Sequence, residues 1–256
     1  MTNTLHIEDN NLSRVWARAF LALMEPGVAE IIPLVVTVKG ISNNSSVETP
    51  SIRKALDSTL LRNGKYSCQT VASTIFPRSI WNSELPREQL FERYRRILPQ
   101  LRRYKGNSYG LYFERLIAHG PTHVNQIEHV IQTRLRGNRR RSALQAAIFD
   151  PTRDHTNQPV RGFPCMQQVA FAPNSQGELA VTGFYATQYI FERAYGNYLG
   201  LLDLGLFVAH EIGLRLTQLN CITGIALLGD VHNAEIKGDV KRLAQKLDLI
   251  LKNDNS

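Results

Sequence analysis

Two neighbouring segments with strand-like patterns restrict the fold of this chain more than any other feature. Residues 164–173 and 177–191 both have the composition and alternation of β-strands, and the Asn-Ser-Gln-Gly sequence between them is typical of a turn. We therefore expect the two segments to pair as adjacent strands. The most apolar helix pattern follows at 204–216, and we expect this helix to lie centrally in the fold.

The rest of the chain interleaves helix and strand patterns without a strict βαβ rhythm, an internal repeat or a clear linker. Periodicity and capping residues predict further helices at 11–24, 51–61, 87–101, 123–135 and 239–252, and further strands at 30–40, 66–76, 142–151 and 219–230. This order predicts an α/β (α+β) fold: a single domain over residues 1–256, with a mixed β-sheet flanked by helices.

An excess of basic residues points to anionic partners. The formal net charge is +8 and the isoelectric point is about 9.6, which favours nucleic acid or phosphorylated small molecules. One basic cluster lies at 91–106, where a solvated helix face is an equally good interpretation. The aromatic residues Phe91, Tyr94 and Tyr104 are interleaved there, and their helical spacing predicts that they belong to the core.

A second basic cluster, at 134–142, is harder to explain by solubility alone. Arg139, Arg140 and Arg141 follow a Gly-Asn turn signal and precede a strand-like segment. Because guanidinium groups bind phosphate bidentately, we predict an anion site at these arginines.

The three cysteines are widely separated and odd in number, which argues against a disulfide framework and a paired-cysteine zinc site. The simplest setting is therefore reduced and cytoplasmic. The polar N-terminus does not resemble a signal peptide, and the apolar runs are too short to cross a bilayer, so we expect no membrane association. Cys68 and Cys221 lie in apolar stretches and are expected in the core. Cys165 follows a proline at the start of a strand and is either a small core residue or a nucleophile, which would need nearby positive charge.

The order of several short motifs over about residues 107–232 resembles that of the thymidylate synthase superfamily. No single motif is specific, but their order and spacing together favour this fold. The matching segments are Tyr-Gly-Leu-Tyr-Phe-Glu-Arg at 109–115, the Asn-Gln-Ile helix and arginine loop at 124–141, Pro-Cys at 164–165, the Gly-Asn segment at 196–197, and Gly-Asp-Val-His at 229–232.

The resemblance implies covalent catalysis on a pyrimidine nucleoside monophosphate. Cys165 would add to C6 of the base, which makes C5 nucleophilic towards a one-carbon donor, implied to be 5,10-methylenetetrahydrofolate. Arg140 and Arg141 would bind the nucleotide phosphate from the partner subunit, so the resemblance also implies a homodimer. Asn197 would read the base edge through its amide, and His232 would reach a ribose hydroxyl.

The chain departs from the family pattern where an Arg-Ser-x-Asp phosphate grip is expected. Residues 185–193 contain no arginine before Arg193, and Gln188 or Thr187 is left to donate uncharged hydrogen bonds to the substrate. Residues 246–256 also do not resemble the C-terminal segment that closes over folate in the family. Two alternatives to a methyl- or hydroxymethyltransferase therefore stay open. The first is a catalytically degenerate nucleotide-binding or scaffolding subunit of the same fold, and the second is a basic nucleic-acid-binding protein.

Overall fold

The structure is a computed structural model that describes residues 4–42, 46–137, 140–157 and 163–254. The strands are β1 (Leu5–Asp9), β2 (Glu30–Ile31), β3 (Leu34–Lys39), β4 (Gln145–Ala147), β5 (Met166–Pro173), β6 (Glu178–Tyr189) and β7 (Arg215–Leu227). The α-helices are α1 (Leu12–Met24), α2 (Pro50–Arg62), α3 (Cys68–Ile75), α4 (Arg87–Leu101), α5 (Tyr112–Ile117), α6 (Gln126–Leu135), α7 (Pro151–Asp154), α8 (Tyr195–Glu211) and α9 (Ala234–Asn253).

The strands form one mixed sheet in the order β1-β3-β7-β6-β5-β4, and β2 pairs with the end of β7. The pairs β1–β3 and β6–β7 are parallel, whereas the other neighbours run antiparallel. The predicted hairpin of β5 and β6 is confirmed, with Phe171 opposite Val181. The predicted fold class, a mixed sheet flanked by helices, is also confirmed.

Helix α8 is central, as predicted, but it is displaced along the sequence from the predicted range. It begins at Tyr195 and packs on the sheet, where Gly183 and Gly205 leave room for close contacts. It ends because Gly213 adopts a positive φ of 66°, while Leu214 donates a backbone hydrogen bond to Ala209 across the helix end. The last residues of the predicted helix therefore belong to β7.

The prediction of a strand at 66–76 is wrong, because these residues form helix α3. Ser67 caps the helix by accepting a hydrogen bond from the Thr70 backbone N–H. The buried residues Cys68, Val71, Ala72 and Ile75 recur at helical spacing and face α8. The β-branched residues of this segment favoured a strand, but the helical spacing of its buried positions decides the structure.

Smaller differences concern the ends of elements. The predicted strand at 142–151 is reduced to β4, because Asp150 caps α7 through a hydrogen bond from the Thr152 backbone. The polar N-terminus contributes β1, which we did not predict. Tyr104 is 65% exposed and therefore not a core residue, whereas Phe91, Tyr94, Cys68 and Cys221 are buried as predicted. No helix in the described part of the chain has both the length and the apolarity to span a membrane.

Helix α8 packs on one face of the sheet, whereas large apolar side chains on the opposite face are partly exposed. Gly183 faces α8, where a side chain would meet Leu201. Because side chains alternate along a strand, the neighbouring Phe184 points to the opposite face. Phe184 lies beside Ile222 on β7, which in turn lies beside Val35 on β3. Phe184 is 42% exposed and Ile222 is 36% exposed. We call this row of three side chains the outer face.

Candidate functional site

Three segments that carry predicted site residues meet at one edge of the sheet. Because β6 and β7 are parallel, their carboxyl ends lie at the same edge. Strand β5 runs antiparallel to β6 and therefore starts at that edge, where the Ala186 backbone N–H donates a 3.0 Å hydrogen bond to the Cys165 carbonyl. The sheet thus places Cys165 beside the turn after β6 and the turn after β7, which carries His232.

Cys165 is half-buried, and its closest charged influence is an arginine. Burial raises the pKa of the Cys165 thiol, and the positive charge of Arg193 opposes this shift in part. Arg193 lies in the short π-helical turn that joins β6 to α8, and its side chain is exposed. Its guanidinium carbon lies 5.4 Å from the centre of the Tyr66 ring. The thiol is therefore mostly neutral at neutral pH, with a cation available to stabilise the thiolate.

Tyr112 is a second neighbour of Cys165, in addition to Arg193. It begins α5, and the backbone N–H groups of Cys165 and Met166 lie near its hydroxyl and oppose the rise of its pKa. Its ring lies 5.0 Å from that of Phe163, which precedes the Pro-Cys pair. Burial raises the pKa of Tyr112, so it stays a neutral phenol beside the thiol.

Replacing Arg193 with glutamine should slow the alkylation of Cys165. Losing the cation raises the thiol pKa further and leaves less thiolate, so we expect iodoacetamide to react at pH 8 about three- to tenfold more slowly. The rate is measured by intact-protein mass spectrometry, with Cys165→Ser showing that the buried Cys68 and Cys221 do not react. Arg193→Lys should restore most of the rate. Equal rates for wild type and Arg193→Gln would show that Arg193 does not act on the thiol.

Beneath the thiol lies a buried polar floor formed by Tyr185, Gln188, Tyr198, Cys221 and Thr223. Gln188 is 1% exposed, and its side-chain carbonyl accepts a 2.9 Å hydrogen bond from the Thr223 hydroxyl. Both Cys165 and Cys221 help to raise the pKa of Tyr185, so its hydroxyl lies within electrostatic range of the two thiols. These residues therefore link Cys165 to the interior of the sheet.

Three hydrogen-bonding atoms of this polar floor have no partner in the described part of the chain. They are the hydroxyls of Tyr185 and Tyr198 and the side-chain nitrogen of Gln188. A buried donor without a partner costs about 1–3 kcal/mol, so three together are expensive. Such a group of atoms favours a bound polar ligand or water at this place.

The structure positions the predicted substrate-binding residues of this edge at different depths. Asn197 is 4% exposed in the first turn of α8, and its amide makes no hydrogen bond to the described residues. Gln188 belongs to the buried floor. His232 lies at the surface, where its Nδ1 is 2.7 Å from the Asp230 carboxylate.

A network of charges fixes the rim on which His232 lies. The Lys65 ammonium is 3.3 Å from the Glu192 carboxylate and 3.2 Å from that of Asp230. The Asp230 backbone N–H donates a 2.6 Å hydrogen bond to Glu192, the neighbour of Arg193. The turn after β7 is therefore held against the turn that carries Arg193.

The chain does not bring its own arginine loop to Cys165. Arg140 and Arg141 are exposed before β4, and Leu144 accepts a backbone hydrogen bond from Phe171. Phe171 lies six residues beyond Cys165 along β5, a distance of about 20 Å at about 3.3 Å per residue. Arg139 lies outside the described residues. Within one chain, the two described arginines are thus at the far end of β5 from the thiol.

Sequence reasoning missed the residues that interact electrostatically with the Cys165 and Cys221 thiols. Arg193, Tyr112, Tyr185 and Tyr198 were not predicted, because their contacts with Cys165 and Cys221 arise from strand register and helix packing. The alternation of β6, which puts Tyr185 on the same face as Gly183, is the one signal that could have indicated a tyrosine in the floor. Comparison of the sequence with protein-family models and with curated proteins finds no match to either.

Proposed function

We propose that this protein acts on a pyrimidine nucleoside monophosphate through covalent addition of Cys165 to the base, as a thymidylate synthase-like methyl- or hydroxymethyltransferase. The observation that carries the proposal is the position of the thiol: it lies at a sheet edge, beside the Arg193 cation and above a floor of unpaired buried donors. A half-buried nucleophile with a cation next to it and hydrogen-bond donors below it suits addition to a polar, flat base.

The first chemical step needs only groups of this chain. The Cys165 thiol is only half-buried and gives its proton to solvent, and Arg193 stabilises the thiolate. The sulfur then forms a bond to C6, the electron pair of the C5–C6 double bond moves to C5, and negative charge develops on the carbonyl oxygen at C4. The Asn197 amide and the Gln188 side-chain nitrogen are buried, and neither donates to a described residue, so they can donate to the base.

The implied one-carbon donor, 5,10-methylenetetrahydrofolate, is an aromatic anion. When bound, it would supply a carbon at the oxidation level of formaldehyde to C5. We call the surface formed by Tyr66 and Arg193 beside Cys165 the mouth of the site. It fits such a molecule in one respect, because the Tyr66 ring is 45% exposed next to the Arg193 guanidinium. Tyr66 and Arg193 would hold the donor, and Tyr112 would help to exclude water from the reacting atoms.

The outer face supports the proposal that two copies of this chain form a homodimer. Phe184 and Ile222 are large apolar residues on adjacent strands, and exposed apolar patches of this kind mark association surfaces. A second copy would cover them in an isologous contact. It would also offer a route for Arg140 and Arg141 of one copy to reach the Cys165 site of the other, which one chain alone does not provide.

A charge placed on the outer face should separate the two copies. We expect Ile222→Glu to shift the protein from dimer to monomer, because a carboxylate would have to be buried in the contact. Molar mass is measured by light scattering during gel filtration. The matched control is Leu61→Glu on α2, where the wild-type side chain is 60% exposed and lies outside the outer face. A wild-type protein that is monomeric at all accessible concentrations would overturn the homodimer.

A nucleotide-binding subunit without turnover is the second candidate function. It is favoured by the raised pKa of the Cys165 thiol, which leaves little thiolate at neutral pH. In this case, pyrimidine monophosphates should raise the melting temperature of both the wild type and Cys165→Ala, and no product should form.

The two functions are distinguished by incubating the protein with 5-fluoropyrimidine monophosphates, with and without methylenetetrahydrofolate. Without the donor, the enzyme should gain the mass of one nucleotide in the intact-protein spectrum. With the donor, it should gain the mass of the nucleotide plus methylenetetrahydrofolate, because C5 carries fluorine and has no proton whose loss would release the donor. Thermal shifts without any adduct, and without exchange of the C5 hydrogen of ordinary pyrimidine monophosphates, would favour the binding subunit. Absence of both would contradict both functions.

A further inference from the structure

A strip of basic residues runs from the second half of α4 into the following turn. Its members are Arg93, Arg95, Arg96, Arg102, Arg103 and Lys105, and all six are exposed. Residues 93–113 contain no aspartate or glutamate. We call these six residues the basic strip.

The basic strip is not neutralised by the protein around it. Within the described ranges, Arg102 is its one member with an ion pair, to Glu114. Several arginines elsewhere bind carboxylates, for example Arg14 at 2.5 Å and Arg87 at 2.7 Å. Repulsion between five uncompensated cations costs folding energy, so the strip is better explained by an anionic partner than by the fold.

The apolar side of α4 is not available to such a partner. Leu90, Phe91 and Tyr94 are each at most 3% exposed and pack into the core. A helix that binds a lipid surface must present an apolar face to it, and α4 presents only its charged face. The partner is therefore expected to be a polyanion in solution rather than a membrane.

An exposed aromatic ring accompanies the charges. Tyr104 lies between Arg103 and Lys105 and is 65% exposed, and its hydroxyl makes no hydrogen bond to the described residues. An exposed ring flanked by cations is the arrangement that binds single strands, because unpaired bases stack on the ring while phosphates contact the cations. The bases of a double helix are stacked on each other and cannot use such a ring.

The basic strip ends beside the mouth of the Cys165 site. Gly106 follows Lys105 and lies close to Tyr66. A side-chain carbon at position 106 would be only 2.9 Å from the Tyr66 hydroxyl. The Tyr66 ring in turn contacts the Arg193 guanidinium, which influences Cys165. Gly106, Tyr66 and Arg193 thus connect the end of the basic strip to the thiol, and a strand that continues beyond the strip would pass the mouth.

We propose that the basic strip binds a single-stranded nucleic acid, with phosphates on its arginines and a base stacked on Tyr104. This binding goes beyond the proposed reaction and does not depend on it, since none of the strip residues belongs to the Cys165 site. The partner is identified only by its chemistry, a chain of phosphates with unpaired bases.

The test uses the full-length protein and a fluorescein-labelled 20-nucleotide oligo(dT), followed by fluorescence anisotropy at 50 mM and 200 mM salt. We expect binding at low salt that weakens steeply as salt is added, because released counterions drive it. The charge-reversal variant Arg95→Glu/Arg96→Glu/Arg103→Glu should weaken binding at least about tenfold, and the salt slope should fall by about 2, or about 0.7 for each lost phosphate contact.

Two further variants make the result specific. Lys237→Glu/Lys241→Glu/Lys246→Glu changes the net charge equally at exposed positions of α9 and should bind as the wild type does. Tyr104→Ala should weaken binding by about 5- to 100-fold without changing the salt slope, because stacking involves no counterion.

The proposal is overturned by no binding at 50 mM salt, by equal losses in the α4 and α9 variants, or by an unaffected Tyr104→Ala. Equally tight binding to heparin or to vesicles containing phosphatidylserine would also overturn it, because that would be general attraction to anions. Adduct formation with 5-fluoropyrimidine monophosphates is measured in parallel. It should be unchanged in the strip variants, so failure of the strip and failure of the Cys165 reaction are told apart.

Discussion

Cys165→Ser is expected to abolish the covalent adduct with 5-fluoropyrimidine monophosphates. The wild-type spectrum should show the protein plus one nucleotide, and the variant only the unmodified protein, with the rate of addition lower by about a thousandfold or more. The reason is the chemistry of the attacking atom: a thiol ionises far more easily than a hydroxyl and Arg193 stabilises the thiolate, whereas no described residue is placed to act as a base for a serine hydroxyl. Serine is close to cysteine in size, so the fold and the position of the nucleotide should be kept.

The matched control is Cys221→Ser. Cys221 is 1% exposed, and burial raises the pKa of its thiol to about 12, so it does not react at neutral pH. Its position in the polar floor makes it the nearest alternative nucleophile. The adduct should persist in Cys221→Ser, and nucleotide-induced thermal shifts should persist in Cys165→Ser. An adduct that survives Cys165→Ser and disappears in Cys221→Ser would show that Cys221 is the nucleophile, and it would contradict the role proposed for Cys165.

The sequence predicted those parts of the fold whose pattern is local. The hairpin of β5 and β6 was predictable because each strand alternates buried and exposed residues and a turn sequence joins them. Helix α3 was not, because its eight residues include valine, isoleucine and threonine, and only contact with α8 makes the helical spacing of Cys68 and Val71 decisive. Tyr104 was misassigned for the opposite reason: it has helical spacing relative to Tyr94, but α4 ends at Leu101, before it.

The candidate site was only partly predictable, because its parts are distant in sequence. The Pro-Cys pair and Asn197 could be identified from their order along the chain. The cation nearest the thiol, Arg193, lies 28 residues beyond Cys165 and reaches it only because β6 runs antiparallel to β5 and ends at the same edge. The unpaired hydroxyls of Tyr185 and Tyr198 depend on strand register and on the packing of α8, neither of which the sequence reveals.

A buried ion pair supports the wall of this site. Arg115 is 1% exposed, and its two terminal nitrogens donate to both oxygens of the fully buried Asp154 carboxylate, at 3.0 Å and 2.9 Å. Arg115 also donates to the Ile148 carbonyl, and its guanidinium carbon lies 5.3 Å from the centre of the Phe163 ring. The pair therefore joins α5 to α7 and packs against the residue that precedes the Pro-Cys pair.

Asp154→Ala is expected to destabilise the protein strongly. Removing the carboxylate leaves the guanidinium buried without its counter-ion, which costs about 3–5 kcal/mol. For a chain of this size each kcal/mol lowers the melting temperature by about 2–4 °C, so a fall of about 10 °C is expected by differential scanning calorimetry. The control is Asp248→Ala, which removes the exposed i,i+4 pair with Lys252 and should change the melting temperature little.

The double variant Arg115→Met/Asp154→Leu shows whether the loss comes from the unpaired charge or from the pair itself. Because apolar residues of similar volume can replace a buried ion pair at little cost, we expect the double variant to recover most of the stability lost in Asp154→Ala. If it does, the large effect belongs to the uncompensated guanidinium, and Arg115 and Asp154 contribute mainly by fixing how α5 and Phe163 meet Cys165. That contribution should appear as slower adduct formation in the stable double variant, and adduct formation at the wild-type rate would show that the pair does not position the site.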